Sequence, residues 1–263
     1  MPADLALTPP ARGLFLLEGR AALDAATMFP PLFAARFAPA QQRSDSLVIV
    51  VPGFGSGDRY TLPLRTYLTR LGYETEGWGL GTNLAGSNVP HTLNDLSERW
   101  TFEARDAYNG EAGVPLMIDR LHERVLRRHQ ETGRRVALVG WSLGGYMARE
   151  VARDLPDLVS HVVTMGSPIV GGPKYTAVAS LFDRGGQDLD WIEAEIRRRE
   201  ARPIGQPITA IFSKTDGIVV WQATIDRFSP QVRHVELNAS HLGMGFNPRI
   251  WREVVRGLER ETA

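Results

Sequence analysis

The apolar, β-branched run Val136-Ala137-Leu138-Val139 passes directly into Gly140-Trp141-Ser142-Leu143-Gly144 and then into a pattern with Met147, Val151 and Leu155 at helical spacing, ended by Pro156. No other stretch restricts the folding of this chain as strongly. A strand that turns at once into a helix forces the corner residue into a strained conformation and leaves no room for side chains two positions either way. Glycine at 140 and 144 relieves that crowding. The serine is then expected to project from a sharp turn at the carboxyl end of a sheet, with the Leu143 amide aimed to the same side from the helix N-terminus.

The rest of the chain supplies such a sheet. Short β-branched runs at Leu47 to Val51, Val136 to Val139, His161 to Met165, Ile208 to Phe212 and His234 to Leu237, with a weaker one at Tyr73 to Trp78, alternate with helical patterns. That rhythm predicts an α/β fold: a mostly parallel sheet covered by helices on both faces. Leu64, Tyr67, Leu68 and Leu71 mark one covering helix, and Leu116, Leu121 and Val125 another. Near the end Asn247 reads as an N-cap with Pro248 at the first helical position, followed by Ile250, Val254 and Leu258 on one face.

Two segments depart from the rhythm. Residues 1 to about 45 contain a helical stretch from Leu17 to Phe29 and a Pro30-Pro31 break, and are expected to pack against the sheet edge as an N-terminal extension. Gly171 to Pro203 carries Leu189, Ile192 and Ile196 at helical spacing and reads either as a small cap or lid over one end of the sheet or as an ordinary crossover helix with a long loop. No repeat or low-complexity linker divides the 263 residues, so a single domain is expected.

Serine is a weak nucleophile at neutral pH; it needs a base within hydrogen-bond reach, and the base needs a partner that fixes its tautomer. Beyond the fourth strong run, Ser213-Lys214-Thr215-Asp216-Gly217 puts a carboxylate in a loop at a strand's carboxyl end. Beyond the next, Asn238-Ala239-Ser240-His241-Leu242-Gly243 does the same for a histidine. Alone, Asp216 before glycine reads as a turn residue and His241 as a surface group. In a parallel sheet these loops emerge on one edge, so Ser142, Asp216 and His241 can converge as nucleophile, orienting acid and base. Their order along the chain, Ser, Asp, His, is the one such a sheet uses for this constellation.

A tetrahedral intermediate also needs preorganised donors for its oxyanion. The loop Pro52-Gly53-Phe54-Gly55-Ser56-Gly57 after the first strong strand can present the Phe54 N–H beside that of Leu143. A dinucleotide-binding loop is the rival, but the spacing is Gly-x-Gly-x-Gly and Asp58 follows where a phosphate would be repelled. Phe54, Tyr146, Met165, Trp221, Leu242 and Met244 are candidate pocket residues, equally consistent with core. His91, His122, His129, His161 and His234 show no metal-ligand spacing, so neither a metal nor a cofactor is expected.

Thirty basic residues balance thirty acidic ones. No net field would hold the chain on nucleic acid or an anionic membrane, although local patches remain possible. Arg197, Arg198 and Arg199 on a helical pattern read as a solvated face. The absence of cysteine removes disulfides and thiol chemistry. The longest early apolar run, Leu14 to Leu17, is broken by Glu18, so neither a signal peptide nor stable membrane insertion is expected, and a cytoplasmic location is the default. Oligomeric state is not legible.

Gly140 to Gly144 resembles the nucleophile elbow of bacterial lipases and esterases in the α/β-hydrolase superfamily. Gly166-Ser167-Pro168 and the Ser-x-x-Asp-Gly-x-Val block at Ser213 to Val219 are similar to blocks in such proteins. Ser240 to Pro248, reading Ser-His-x-Gly-x-Gly-x-Asn-Pro, resembles a group of bacterial hydrolases that share a Pro-Gly-Phe loop and a Gly-Trp-x-Leu-Gly-x-Asn segment such as Gly77 to Asn83. The resemblance runs from about Glu18 onward. It implies the α/β-hydrolase fold, with an N-terminal helical stretch in place of the first strands. Pro52 is a departure, standing where many lipases carry a histidine, and it leaves open what supports the oxyanion loop. The expected activity is hydrolysis of a small-molecule carboxylic ester with an apolar acyl group. Acyl transfer on the same fold, and a ligand-sensing module without catalysis, are the alternatives.

Overall fold

The computed structural model describes residues 7–37, 46–102 and 108–260. Six strands, β1 (Leu47–Val51), β2 (Thr75–Gly77), β3 (Val136–Trp141), β4 (Val159–Met165), β5 (Ile208–Phe212) and β6 (Val232–Glu236), form one sheet in the order β2-β1-β3-β4-β5-β6. Every pairing is parallel. β1 and β3 are buried along their whole length, the pattern of strands covered on both faces.

The helices are α1 (Arg12–Phe15), α2 (Ala21–Thr27), α3 (Phe29–Ala35), α4 (Asp58–Arg70), α5 (Gly113–Thr132), α6 (Leu143–Asp154), α7 (Ala179–Arg184), α8 (Leu189–Arg199) and α9 (Pro248–Leu258). Side chains alternate across the strands and so divide the core in two. Leu47, Ile49 and Leu138 pack with Met117, Ile118 and Leu121 of α5 and Met147 and Val151 of α6. Val48, Val50 and Val139 pack with Leu64 and Leu68 of α4 and Ile250, Trp251 and Val254 of α9. α9 starts as its sequence requires: the Asn247 side chain accepts the Arg249 N–H at 2.9 Å, with Pro248 in the first turn.

The order places β1 and β3 side by side although α4, β2 and α5 separate them in the chain. The chain reverses direction across the sheet there, which opens a crevice at the carboxyl ends of these two strands. The loop carrying Phe54 and the corner carrying Ser142 flank it.

The N-terminal stretch is more helical than its prolines suggest. Pro30 and Pro31 lie in the first turn of α3, where a missing N–H breaks no intrahelical bond, so they start a helix instead of interrupting one. Residues 1–6 and 38–45 of this extension lie outside the described residues. Between β4 and β5, the 171–203 segment folds as a 3-10 turn (Gly172–Tyr175) followed by α7 and α8. No described helix is long and apolar enough to cross a membrane.

Candidate active site

Ser142 caps the end of β3 with φ +53° and ψ −127°, a conformation that costs a non-glycine residue about 1–3 kcal/mol. The neighbouring glycines show what makes the corner possible. A side chain at 140 would collide with Gly145, and one at 144 with the carbonyl oxygens of Val51 and Pro52. At Gly53 an added carbon would sit 2.9 Å from the Ser142 Cβ, so the loop after β1 also approaches the serine as closely as glycine allows.

Ser142 Oγ lies 2.9 Å from His241 Nε2, and His241 Nδ1 lies 2.7 Å from Asp216 Oδ2. With the carboxylate accepting from Nδ1–H, Nε2 is left bare to accept the serine proton. The other Asp216 oxygen accepts the N–H groups of Ile218 and Val219 at 2.8 Å each, which fixes the carboxylate within its own turn. His241 and Asp216 are almost fully buried. The structure thus brings together the three side chains singled out in the sequence.

Several further groups hold these loops. Ser213 Oγ accepts the N–H of Ala239 at 3.2 Å, joining the acid and base loops. The Trp141 indole N–H donates to the His241 carbonyl at 3.1 Å, and Tyr60 stacks on Trp141 with ring centroids 4.0 Å apart. Burial pushes the Tyr60 phenol upward, so it remains a donor, bonding the Leu242 carbonyl at 2.9 Å. Glu18, a buried carboxylate from the 3-10 turn Leu16–Arg20, accepts the N–H groups of Gly217 at 2.8 Å, His241 at 3.0 Å and Leu242 at 2.8 Å. Asp24 of α2 accepts from Asn247 at 2.8 Å and Ser240 at 3.3 Å; burial raises its carboxyl above the usual range, partly offset by those two hydrogen bonds.

Support for the loop after β1 comes from Asn83, which is wholly buried. Its side-chain amide donates to the Pro52 carbonyl at 2.8 Å, its backbone carbonyl accepts the Gly55 N–H at 2.8 Å, and its N–H donates to the Ser56 carbonyl at 2.8 Å. Asp58 accepts the N–H groups of Trp78 and Gly79 at 2.9 and 3.1 Å, tying the start of α4 to the end of β2. Among the described residues, neither the Phe54 nor the Leu143 N–H is given to a protein acceptor.

Ser142 and His241 open into a cavity of about 220 Å³. Phe54, Tyr146 and Leu242 lie on its wall. The 171–203 segment supplies the opposite side, with Phe182, Trp191 and Ile192, while Trp100 and Phe102 enter from the loop before α5. Phe54 and Phe182 meet across it with ring centroids 5.3 Å apart. The Arg199 guanidinium lies 4.1 Å over the Trp100 ring, so even the basic group here presents an aromatic neighbour.

Three expected pocket residues lie elsewhere. Met165 and Met244 face the α9 side of the sheet and pack in the core with Ile211 and Trp251, because Met165 ends β4 with its side chain on that face. Trp221 lies off the cavity wall, stacked on Phe212 at 5.8 Å with the Lys214 ammonium 5.4 Å over its ring. Among the described residues, no group of His, Asp and Glu is arranged to hold a metal ion.

Glu18 and Asn83 were not legible as site residues. Glu18 reads as the charge that ends an apolar run, with nothing to mark it as turned inward. Asn83 stands in the Gly-Trp-x-Leu-Gly-x-Asn segment, a signal that marks the segment without assigning a role to its last residue.

No family model matches the sequence, and no curated protein matches it. Solved structures do. The chain is similar to a metagenome-derived lipolytic enzyme (TM-score 0.58, 13% identity, 85% of this chain and 99% of the other). It is also similar to a soluble variant of the monoglyceride lipase of Saccharomyces cerevisiae (0.56, 13%, 86% and 91%) and to a lipase of Bacillus licheniformis (0.55, 12%, 84% and 95%). At such identities the likeness is one of architecture, and with the six-stranded parallel sheet it defines the class: this chain has the α/β-hydrolase fold.

Proposed function

We propose that this chain is a serine esterase that cleaves small-molecule carboxylic esters with an apolar acyl group. The observation that carries this reading is the unbroken hydrogen-bonded series from Ser142 Oγ through His241 to Asp216, set at the mouth of a cavity walled mainly by aromatic and aliphatic side chains. The solved structures it resembles include proteins described as lipases, which agrees with ester chemistry.

Ser142 Oγ attacks the ester carbonyl carbon while His241 Nε2 takes its proton. The resulting oxyanion accepts from the Phe54 and Leu143 N–H groups. Collapse breaks the bond to the alcohol oxygen, which leaves with the proton from His241. Water then attacks the acyl-serine, His241 takes a water proton, and the acid departs as that proton returns to Ser142. Asp216 holds the ring and steadies the imidazolium. The 171–203 segment acts as the cap that encloses the acyl chain.

The test is a chain-length panel of nitrophenyl esters with fluorophosphonate labelling. Turnover and labelling, both abolished in Ser142→Ala, are expected. Intact protein that hydrolyses no ester of any length and takes no label would sink the proposal.

A further inference from the structure

The N-terminal helical stretch turns its two acids inward and its greasy side outward. α1, the 3-10 turn Leu16–Arg20, α2 and α3 follow one another with helical dihedrals through Met28 and Arg36, forming an almost continuous helical path. Its inner stripe carries Glu18, Asp24 and Ala35 against the catalytic loops and α4. Its outer stripe runs through Leu16, Leu23, Ala26, Pro30, Phe33 and Phe37, at spacings of three, four or seven, with Phe15 and Phe29 beside it.

These outer side chains are not grazing the surface. Phe15, Leu16, Leu23, Phe29, Phe33 and Phe37 are between 55% and 81% exposed. A row of exposed large apolar side chains of this kind marks an interaction surface. The charge around it selects the partner. On residues 7–37 the exposed charged side chains are Arg12 and Arg36, both positive, while both acids are turned inward. A second copy meeting this face would bring like charges together. An anionic lipid surface offers hydrocarbon for the aromatics and negative headgroups for the arginines.

We propose that the outer face of residues 12–37 seats this protein on an anionic lipid surface, as a peripheral and not a spanning attachment. The docking face is joined to the cavity rim: Leu242, part-exposed on the cavity wall, donates its N–H to Glu18, on the inner side of the same stretch. Seating the face would therefore hold the cavity mouth close to the lipid.

The test is sedimentation of the full chain with vesicles of phosphatidylcholine alone or mixed with phosphatidylglycerol. We expect binding to the mixed vesicles at least about tenfold tighter than to phosphatidylcholine. Phe29→Ser with Phe33→Ser should abolish binding to both, and Arg12→Glu with Arg36→Glu, a change on exposed side chains that spares the packing, should erase the preference for phosphatidylglycerol. Turnover of a soluble short-chain ester should be unchanged by either pair, which separates this proposal from the esterase reading. Wild-type protein left in the supernatant with mixed vesicles would overturn it, as would binding unaffected by the charge reversals. A dimer in light scattering that the Phe pair converts to monomer, with no vesicle binding, would assign the face to a second copy instead.

Discussion

Glu18 and His241, 223 positions apart in the chain, are joined by a 3.0 Å hydrogen bond from the His241 backbone N–H to the Glu18 carboxylate. The same oxygen accepts from Gly217, which follows Asp216, at 2.8 Å. One buried group thus sets the spacing between the acid loop and the base loop. Glu18→Ala is expected to lower kcat by roughly 10–100-fold, the cost of a small misplacement of reacting groups. KM should stay within about twofold, since Glu18 touches no substrate. Steady-state kinetics on a nitrophenyl ester, with thermal unfolding as a control on folding, checks the split.

Asn83 holds the Pro52 carbonyl and both sides of the turn that presents Phe54. Asn83→Ala should release that turn and disorganise one of the two proposed oxyanion donors, lowering kcat by about 10²-fold or more, as for loss of a donor itself. The effect should appear in turnover and in the rate of fluorophosphonate labelling together.

Gly144 faces the Val51 and Pro52 carbonyls, which belong to the sheet and its first loop and cannot swing aside. Gly144→Ala is expected to destabilise the fold by about 1–3 kcal/mol or more through overpacking. A urea midpoint shift at unchanged slope would register it. Gly55, whose added carbon would meet nothing but which holds φ +73°, should instead lose only the smaller cost of a left-handed conformation.

Asp226 pairs with Arg149 at 2.8 Å where both are buried. Burial alone would raise its carboxyl, but the Arg149 charge and the N–H groups of Phe228 and Ser229 outweigh it and hold the group below its usual 3.8. A lowered folded value means the stabilisation is complete above the unfolded value and drains away as pH falls through the folded one. Urea midpoints should therefore be flat near neutrality and drop below about pH 4. Asp226→Asn should cost less than the roughly 3–5 kcal/mol of a fully unpaired buried charge at pH 7, because Arg149 keeps Glu200 at 3.1 Å, and should reduce the acid sensitivity.

The sheet was readable because a strand covered on both faces must be apolar throughout, as Leu47–Val51 is, and because glycine at 140 and 144 answers a local steric demand. Ser142, Asp216 and His241 were readable for a related reason: each follows such a strand, and parallel strands deliver their loops to one edge. Met165 and Met244 show the limit of that reasoning. An apolar residue near a catalytic loop has two faces available, and only the assembled layers decide that these two point toward α9. Glu18 lay beyond reach for a different reason, since its partners are backbone N–H groups, which every residue type carries.

The 171–203 segment is bridged at its start, where the Ala177 N–H donates to the Ile218 carbonyl at 2.7 Å, and is clamped by charge at its close. Arg199, at the close of α8, pairs with Glu150 and Asp154 of α6, and Glu200 just beyond it pairs with Arg149 and Arg153 of the same helix, nearly all of them shut away from water. Pulling that end free would strand several charges at once. The roof is therefore bolted most firmly to the helix that runs on from Ser142, while the turn that follows α7 is tied by hydrogen bonds, from Asn109 to the Gly186 carbonyl and from the Asp188 N–H to Glu111.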